Sequence, residues 1–286
     1  MTWLLYLANV TLARTESALG KYDARHGGTT GDFNRAKTLA AASLSAVAAL
    51  IGGMTLHGAT VLYAALYGIA LATSMYCGLK ALSLGNMALV SMIASFSLVI
   101  PCLWGLIFLH EELSLVGVIG LLLLAASILL LNLKRGGGRL SRECWIYSLL
   151  TLLTNGIMSI IQKQHQTAYP GEYKTEFMLF AMVFAFLIFL ALGFRRSGGE
   201  SKPKPLSERK RTFILGASAG ALNYLANFSI LLLASTENAT VLFPILSAAN
   251  AIGACLIGRF VFKERLTRLQ AVSILLGIAS VVLLKI

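Results

Sequence analysis

The chain is an alternation of long apolar runs and short polar clusters, and most of the apolar runs approach the roughly 20 residues that an α-helix needs to cross a bilayer. The runs are continuous and do not alternate with period two, so the pattern favours helices over the strands of a membrane barrel. It predicts an all-α membrane protein with ten transmembrane helices. The predicted spans are 2–21, 33–53, 58–80, 85–109, 114–133, 142–162, 175–194, 212–234, 238–261 and 267–285.

The apolar pattern repeats within the chain. Residues 101–132 read as helix, short charged hinge and helix, and residues 254–284 repeat this design, with Glu264 falling on Glu111 at an offset of 153. Near the start of each half, Trp145 falls on Trp3 and Lys163 on Lys21, at an offset of 142. The repetition predicts two five-helix repeats, residues 1–138 and 139–286. Because five is odd, the second repeat would cross the membrane in the opposite sense, as in transporters built from inverted repeats.

Composition agrees with a membrane location. The chain is 57% hydrophobic and 13% charged, with a mean hydropathy of +0.77; soluble domains carry roughly 25% charged residues. The net charge of +12 is better explained by basic loops on one membrane face than by nucleic acid, which is not expected as a partner. The four cysteines are scattered singly in apolar runs and predict neither disulfides nor a metal site, and no cofactor is expected. The expected partners are the bilayer and a small-molecule substrate, with the chain a monomer or a homodimer.

The distribution of Lys and Arg predicts the orientation. Of 24 such residues, 20 fall in or beside loops that follow odd-numbered spans, including Lys37 and the basic connection 195–211. Basic loops stay in the cytoplasm, so both termini are predicted outside the cytoplasmic membrane.

Four segments give the chain a family resemblance. They are HEELSLVGVIG at 110–120, KERLTRLQAVSILLG at 263–277, ALSLGN at 81–86 and ASTENA at 234–239. The chain resembles the EamA-like ten-span members of the drug/metabolite transporter superfamily. The resemblance implies a 5+5 bundle that carries small organic solutes in a cavity lined by central helices. Members of known orientation usually keep both termini in the cytoplasm, so the charge distribution of this chain departs from the family.

The first span also resembles that of the small multidrug exporters in the same superfamily. In an ungapped match their essential membrane acid falls on Arg14, and Glu16 lies two residues later. This departure argues against proton-coupled cation export of that kind.

Ionisable residues inside a span are costly, so Arg14 and Glu16 are candidate functional groups. Glu16 shares a helix face with Asn9, and the matching face of the sixth span carries Asn155. Two residues apart, Arg14 and Glu16 point in different directions and are not expected to pair. We expect Glu16 to line a cavity, and Arg14 and Glu16 are candidates for a coupling group or a charge partner. The alternative for Arg14 is a side chain that extends to the cytoplasmic surface.

A second polar face lies on the eighth span, with Asn223 and Asn227 beside Gly216 and Gly220. Its counterparts on the third span include Tyr63 and Tyr67, and Asn250 marks a face of the ninth span. These residues either line a solute site near the midplane or hydrogen-bond neighbouring helices together. The predicted substrate-binding set is Glu16, Asn9, Tyr63, Tyr67, Asn155, Asn223, Asn227 and Asn250.

The hinge acids Glu111, Glu112 and Glu264 suggest proton coupling, but their positions between helices favour a role at helix ends, where a carboxylate accepts free amide N–H groups. No nucleophile–base set indicates an enzyme. The sequence therefore predicts a secondary transporter for a small polar, amine or amino-acid-like metabolite, working by alternating access. A flippase for a lipid-linked group and a non-transporting accessory subunit are the alternatives.

Overall fold

The computed structural model describes residues 2–84, 90, 93–132, 141–196, 205–260 and 268–284. All regular structure within these ranges is helical, which confirms the all-α prediction. A 3₁₀ turn at Phe96–Leu98 leads into the fourth helix. The helices are α1 (Thr2–Arg25), α2 (Thr30–Gly52), α3 (Gly58–Leu84), α4 (Val99–Phe108), α5 (Leu115–Asn132), α6 (Arg142–Ala168), α7 (Lys174–Arg196), α8 (Leu206–Ala234), α9 (Ala239–Phe260) and α10 (Arg268–Leu283).

Five of the described helices are long and apolar enough to cross a membrane: Gly31–Gly52, Gly58–Gly78, Arg142–Ala168, Lys174–Leu192 and Leu206–Ala234. These stretches lie in α2, α3, α6, α7 and α8, and their outward side chains include the largely exposed Leu50, Leu62 and Ile214. Large apolar groups facing outward from apolar helices are typical of lipid contact. This is the architecture of a multi-pass membrane protein.

Small polar residues set several helix starts. The Thr29 side chain accepts a hydrogen bond from the Asp32 amide at the start of α2. Ser114 and Ser141 do the same for the Gly117 and Cys144 amides in the first turns of α5 and α6. In a membrane protein such caps satisfy amides that would otherwise face hydrocarbon without a partner.

The chain divides into two compact units, each built from two segments. Unit 1 comprises Met1–Ala72 and Gln164–Ser235, and unit 2 comprises Thr73–Lys163 and Thr236–Ile286. Each unit therefore combines residues from both predicted repeats, and the repeat boundary at 138/139 stays a prediction.

In unit 1, helix α8 packs against both α1 and α2. The crossing with α2 passes over Gly216 and Gly220, where any side chain would clash with Ala36 Cβ and with the Lys37 carbonyl oxygen, respectively. Small residues four apart allow two backbones to approach this closely, as in membrane helix pairs. Because rising positions on α8 meet rising positions on α2, the two helices run parallel.

In unit 2, α5 packs along α10. The Ser127 hydroxyl donates a hydrogen bond to the Ser273 carbonyl (2.7 Å), and Gly120 lies against the Ser280 carbonyl. Rising positions on α5 meet falling positions on α10, so these helices are antiparallel. Helix α9 packs against α4, α5 and α10.

The Gly220→Ala variant tests the α2–α8 crossing. The added methyl group would meet the Lys37 backbone, which cannot move independently of α2, so we expect the free energy of unfolding to fall by about 1–3 kcal/mol. Thermal unfolding of the purified protein in detergent measures the change. Gly58→Ala is the matched control because a Cβ atom there meets nothing within 4 Å. Equal melting temperatures for the two variants would contradict the close approach.

Candidate functional site

The site begins where α1 and α8 pack together in unit 1. The Asn9 side-chain amide, only 2% exposed, donates to the Ala226 carbonyl (2.7 Å) and to the Ser229 hydroxyl (3.0 Å). These bonds fix the register of the two helices. The two helices are antiparallel, so a later position on α1 lies opposite an earlier position on α8. Glu16, two turns after Asn9, therefore lies next to Asn223.

Glu16 holds two partners from two other helices. Its carboxylate forms an ion pair with Lys37 of α2 (Oε1 to Nζ, 2.5 Å) and accepts a hydrogen bond from Asn223 Nδ2 of α8 (3.0 Å). The side chains of Lys37 and Glu16 are 11% and 17% exposed. A charge in such an interior is tolerated only when another charge and hydrogen bonds compensate it.

Lys37 belongs to this site, although the charge distribution along the sequence assigned it to a cytoplasmic loop. It lies in the second turn of α2 and is buried. That assignment was wrong because the polar segment 29–37 begins the helix instead of preceding it. The sequence contained one indication of this burial: the predicted span 33–53 includes Lys37, and a lysine inside a membrane span needs a partner.

The network continues from α8 to α3. Asn227 Nδ2 donates to the Asn223 main-chain carbonyl (2.9 Å), and its Oδ1 accepts a hydrogen bond from the Tyr67 hydroxyl (2.7 Å). Tyr67 is fully buried, with its ring edge-on to Phe177 of α7. We call Lys37, Glu16, Asn223, Asn227 and Tyr67 the polar chain. It joins α1, α2, α3 and α8 within unit 1.

The other predicted residues lie outside the polar chain. Tyr63 contacts the His165 ring, and Arg14 is close enough to Glu16 to interact with it electrostatically. Asn155 lies in unit 2, where its Oδ1 accepts a hydrogen bond from Ser74 (2.5 Å). Asn250 is a partly buried residue of α9, also in unit 2.

Glu111 caps a helix, in agreement with the sequence analysis, although the helix is α9 and not the α5 that follows it. Its carboxylate accepts the Ala239 amide (2.8 Å) and both the amide and hydroxyl of Thr240 (2.9 Å each). Lys163 Nζ lies 3.8 Å from the same carboxylate and donates to the Glu237 carbonyl (2.5 Å). His110 adopts a left-handed conformation (φ 51°) at the turn that precedes Glu111. Glu112 is exposed, and Glu264 lies outside the described residues.

The polar chain offers a carboxylate, an ammonium, two amides and a phenol within one apolar unit. Such a set can bind a ligand that carries both charges, by exchanging partners with the Glu16–Lys37 ion pair. Among the residues described, no three His, Cys, Asp or Glu side chains lie close enough together to hold a metal ion.

Comparison with known proteins places this geometry in context. Residues 143–286 match the model of the EamA-like transporter family. A solved structure described only as the crystal structure of a protein is 15% identical, covers 99% of this chain and 98% of its own, and has a TM-score of 0.76. At that identity it shows the fold alone. The search of curated proteins found no match.

A double-mutant cycle tests the ion pair of the polar chain. In Glu16→Gln, Lys37 loses its counter-charge in an apolar interior, and we expect the free energy of unfolding to fall by about 3 kcal/mol. The double variant Glu16→Gln/Lys37→Met buries no unpaired charge at this contact and should recover most of the loss. Unfolding in detergent provides the readout, with the exposed Glu112→Gln as control. Strictly additive effects would mean that the two charges do not interact.

Proposed function

Because this chain belongs to the EamA-like transporter family, we propose that it is a secondary transporter that moves a small organic metabolite across the cytoplasmic membrane by alternating access. The observation that carries the proposal is the polar chain, above all the Glu16–Lys37 pair inside an apolar unit. Ionisable residues among membrane helices are expensive to insert and mark solute or ion pathways. The helix contacts of unit 1 already use small residues and amide-to-backbone bonds, so packing alone does not call for the pair.

The chemistry of the polar chain favours a zwitterionic substrate of amine or amino-acid type. An ammonium group would replace Lys37 at the Glu16 carboxylate, and a substrate carboxylate would take over Lys37 Nζ. The Asn223 amide and the Tyr67 hydroxyl supply neutral hydrogen-bonding groups next to that position. The Glu16–Lys37 ion pair would be replaced by two ion pairs, one between each residue and the substrate. No charge would then be left without a counter-charge, so the substrate could enter a dry site without a large energetic cost.

The directions of packed helices support ten crossings. Helices α2 and α8 are six steps apart in the chain and parallel, which an even number of crossings requires. Helices α1 and α8 are seven steps apart and antiparallel, as their contacts Asn9–Ser229 and Glu16–Asn223 establish. The pair α3 and α6, three steps apart, is also antiparallel, with Ser74 at Asn155 and Ala81 at Cys144. All three relations fit a chain that crosses the membrane once per helix.

The α5–α10 contact supports the inverted repeat. The offset of 153 makes Ser280 the counterpart of Ser127, and Ser273 the counterpart of Gly120. Ser127 contacts Ser273, and Ser280 contacts Gly120, so each repeat presents the same pair of positions to the other. A reciprocal contact between antiparallel helices is what a two-fold axis lying in the membrane plane produces. We propose that residues 1–138 and 139–286 are the two repeats and that both termini lie outside.

A transport assay tests the proposed function. Cells that produce the protein, incubated with a panel of labelled amines and amino acids, should accumulate or lose at least one compound faster than cells without it. In Glu16→Gln the rate should fall by at least about ten-fold, because the variant loses a charge-assisted substrate contact of roughly 1.5–3 kcal/mol. Glu112→Gln, an exposed acid outside the polar chain, should transport at the normal rate when present at the same level in the membrane.

Other outcomes identify the rivals. Movement of a labelled lipid between leaflets of reconstituted vesicles, without solute flux, would favour a flippase. No flux of either kind, together with co-purification of a second membrane protein, would favour an accessory subunit.

Reporter fusions test the orientation. A reporter active only outside the cytoplasm should be active when fused to either terminus, because the basic loops remain inside. The same reporter inserted in the basic connection 195–211 should be inactive. Reversed activities would restore the usual family orientation without affecting the transport proposal.

A further inference from the structure

Unit 1 contains a second buried polar cluster, at the ends of α6 and the beginnings of α3 and α7. His165 in the last turn of α6 is fully buried, as is Thr60 of α3, and Gln166 is 1% exposed. The His165 Nε2 atom lies 3.2 Å from the Thr60 hydroxyl, and its Nδ1 atom lies 3.0 Å from Gln166 Nε2. Both ring nitrogens are therefore occupied by protein partners, and the polar chain does not use any of these groups.

The Gln166 amide reveals the proton position on His165. Gln166 Oε1 accepts the Gly171 amide and Nε2 donates to the Glu172 carbonyl, both at 3.3 Å, so the turn that follows α6 fixes which end of the amide is the donor. The donor end also faces His165 Nδ1, which must accept. His165 is thus held as the neutral tautomer with its proton on Nε2, directed at Thr60.

The same turn holds aromatic side chains over the start of α3. His57 stacks on the Tyr173 ring (centroids 4.9 Å apart) and packs edge-on with Tyr169 (4.8 Å), and its buried Nδ1 atom has no hydrogen-bond partner among the residues that the structure describes. Tyr173 adopts φ 49°, a left-handed conformation that is costly for a bulky residue. The turn 169–173 is therefore kept in place by ring contacts and by the Gln166 amide.

We propose that His165 is a proton-binding site that controls the turn 169–173. A proton on Nδ1 would face the Gln166 NH₂ group, donor against donor at 3.0 Å. The amide would have to rotate away, which breaks its bonds to Gly171 and Glu172 together. Protonation therefore releases Gly171 and Glu172 from the Gln166 side chain and loosens the turn that holds the tyrosine rings against His57.

Charged and titratable groups surround His165. His57, before α3, and Glu176 of α7 both lie close enough to interact with a charge on its ring. Glu176 is 7% exposed and accepts hydrogen bonds from the Thr55 amide (3.1 Å) and hydroxyl (3.4 Å). The other titratable groups here are the phenols of Tyr63 and Tyr169 on the His165 ring, Tyr173 on His57, and Lys174, whose Nζ donates to the Gly171 carbonyl.

The link from this proton site to transport rests on the proposed function, whereas the proton site itself does not. In the proposed topology the turn 169–173 faces the outside, so external protons would reach His165 and open unit 1 at that face. Protons would then be the coupling or regulating ion of the transporter.

Hydrogen–deuterium exchange of the purified full-length protein tests the proton site without any transport measurement. Between about pH 8 and about pH 4, a range that includes the ordinary histidine pKa of about 6.5, the amides of Tyr169, Gly171, Glu172 and Tyr173 should exchange at least about ten-fold faster at the acid end after correction for intrinsic rates. In His165→Gln this acceleration should be absent. In Gln166→Glu it should also be absent, because a carboxylate can accept the new proton on Nδ1 while still accepting the Gly171 amide.

Another histidine provides the control. The exposed His26→Gln should keep the acid acceleration. A wild-type turn whose corrected exchange does not change with pH overturns the proposal, and so does an acceleration that survives in Gln166→Glu. If His165→Gln does not fold, the wild-type and Gln166→Glu profiles still decide the question.

Flux measurements separate this inference from the proposed function. If the turn responds to pH but the protein moves no solute, the proton site is supported and the proposed transport function is contradicted. If the protein moves solute but the turn does not respond to pH, the transport function is supported and the proton site is contradicted. If both stand, solute flux should vary with external pH in the wild type and lose that dependence in Gln166→Glu.

Discussion

The structure of unit 1 depends on the compensation of one buried charge pair. Moving an ammonium and a carboxylate out of water costs several kcal/mol per ion, and their attraction repays this only when the geometry is close and other hydrogen bonds complete it. Lys37 and Glu16 meet at 2.5 Å because Gly216 and Gly220 let α2 lie directly on α8, and because Asn9 holds α1 against the same helix. The small residues of α8 and the Asn9 amide thus bring three helices close enough for the two charges to meet.

A membrane interior explains why the contacts take this form. Lipid gives helices no hydrophobic reason to associate, so close backbone approach and interhelical hydrogen bonds must supply the stability. In unit 2, other residues supply the interhelical hydrogen bonds. Ser127 donates to a main-chain carbonyl of α10, and Glu111 satisfies the first amides of α9 from a distant point in the chain. At the start of α9, backbone amides that water would hydrate in a soluble protein donate to a side chain instead.

The helical pattern could be predicted from sequence because apolar runs of the right length have few other folds available, and each predicted span overlaps a helix. The faces of α1 and α8 were also predictable, since Glu16, Asn223 and Asn227 stand out at helical spacing in apolar runs. Lys37 was not identified, because a basic residue near a span end is ordinarily solvated and only the α2–α8 crossing buries it. The cluster around His165 could not be predicted from the sequence either, because it depends on the contacts that the Gln166 amide makes with His165 and with the turn after α6.

If residues 1–138 and 139–286 are the two repeats proposed above, the α5–α10 contact shows how their matching positions differ. In a symmetric pair of identical five-helix chains, both serines would make the same bond, and every substitution would act twice. Here Ser127 donates to the neighbouring helix, whereas Ser280, its counterpart in the proposed repeat, donates to the Gly277 carbonyl of its own helix. Once two copies are fused in one gene, each side of such a contact mutates separately. One half can then specialise in holding the assembly together while the other is free to acquire new chemistry.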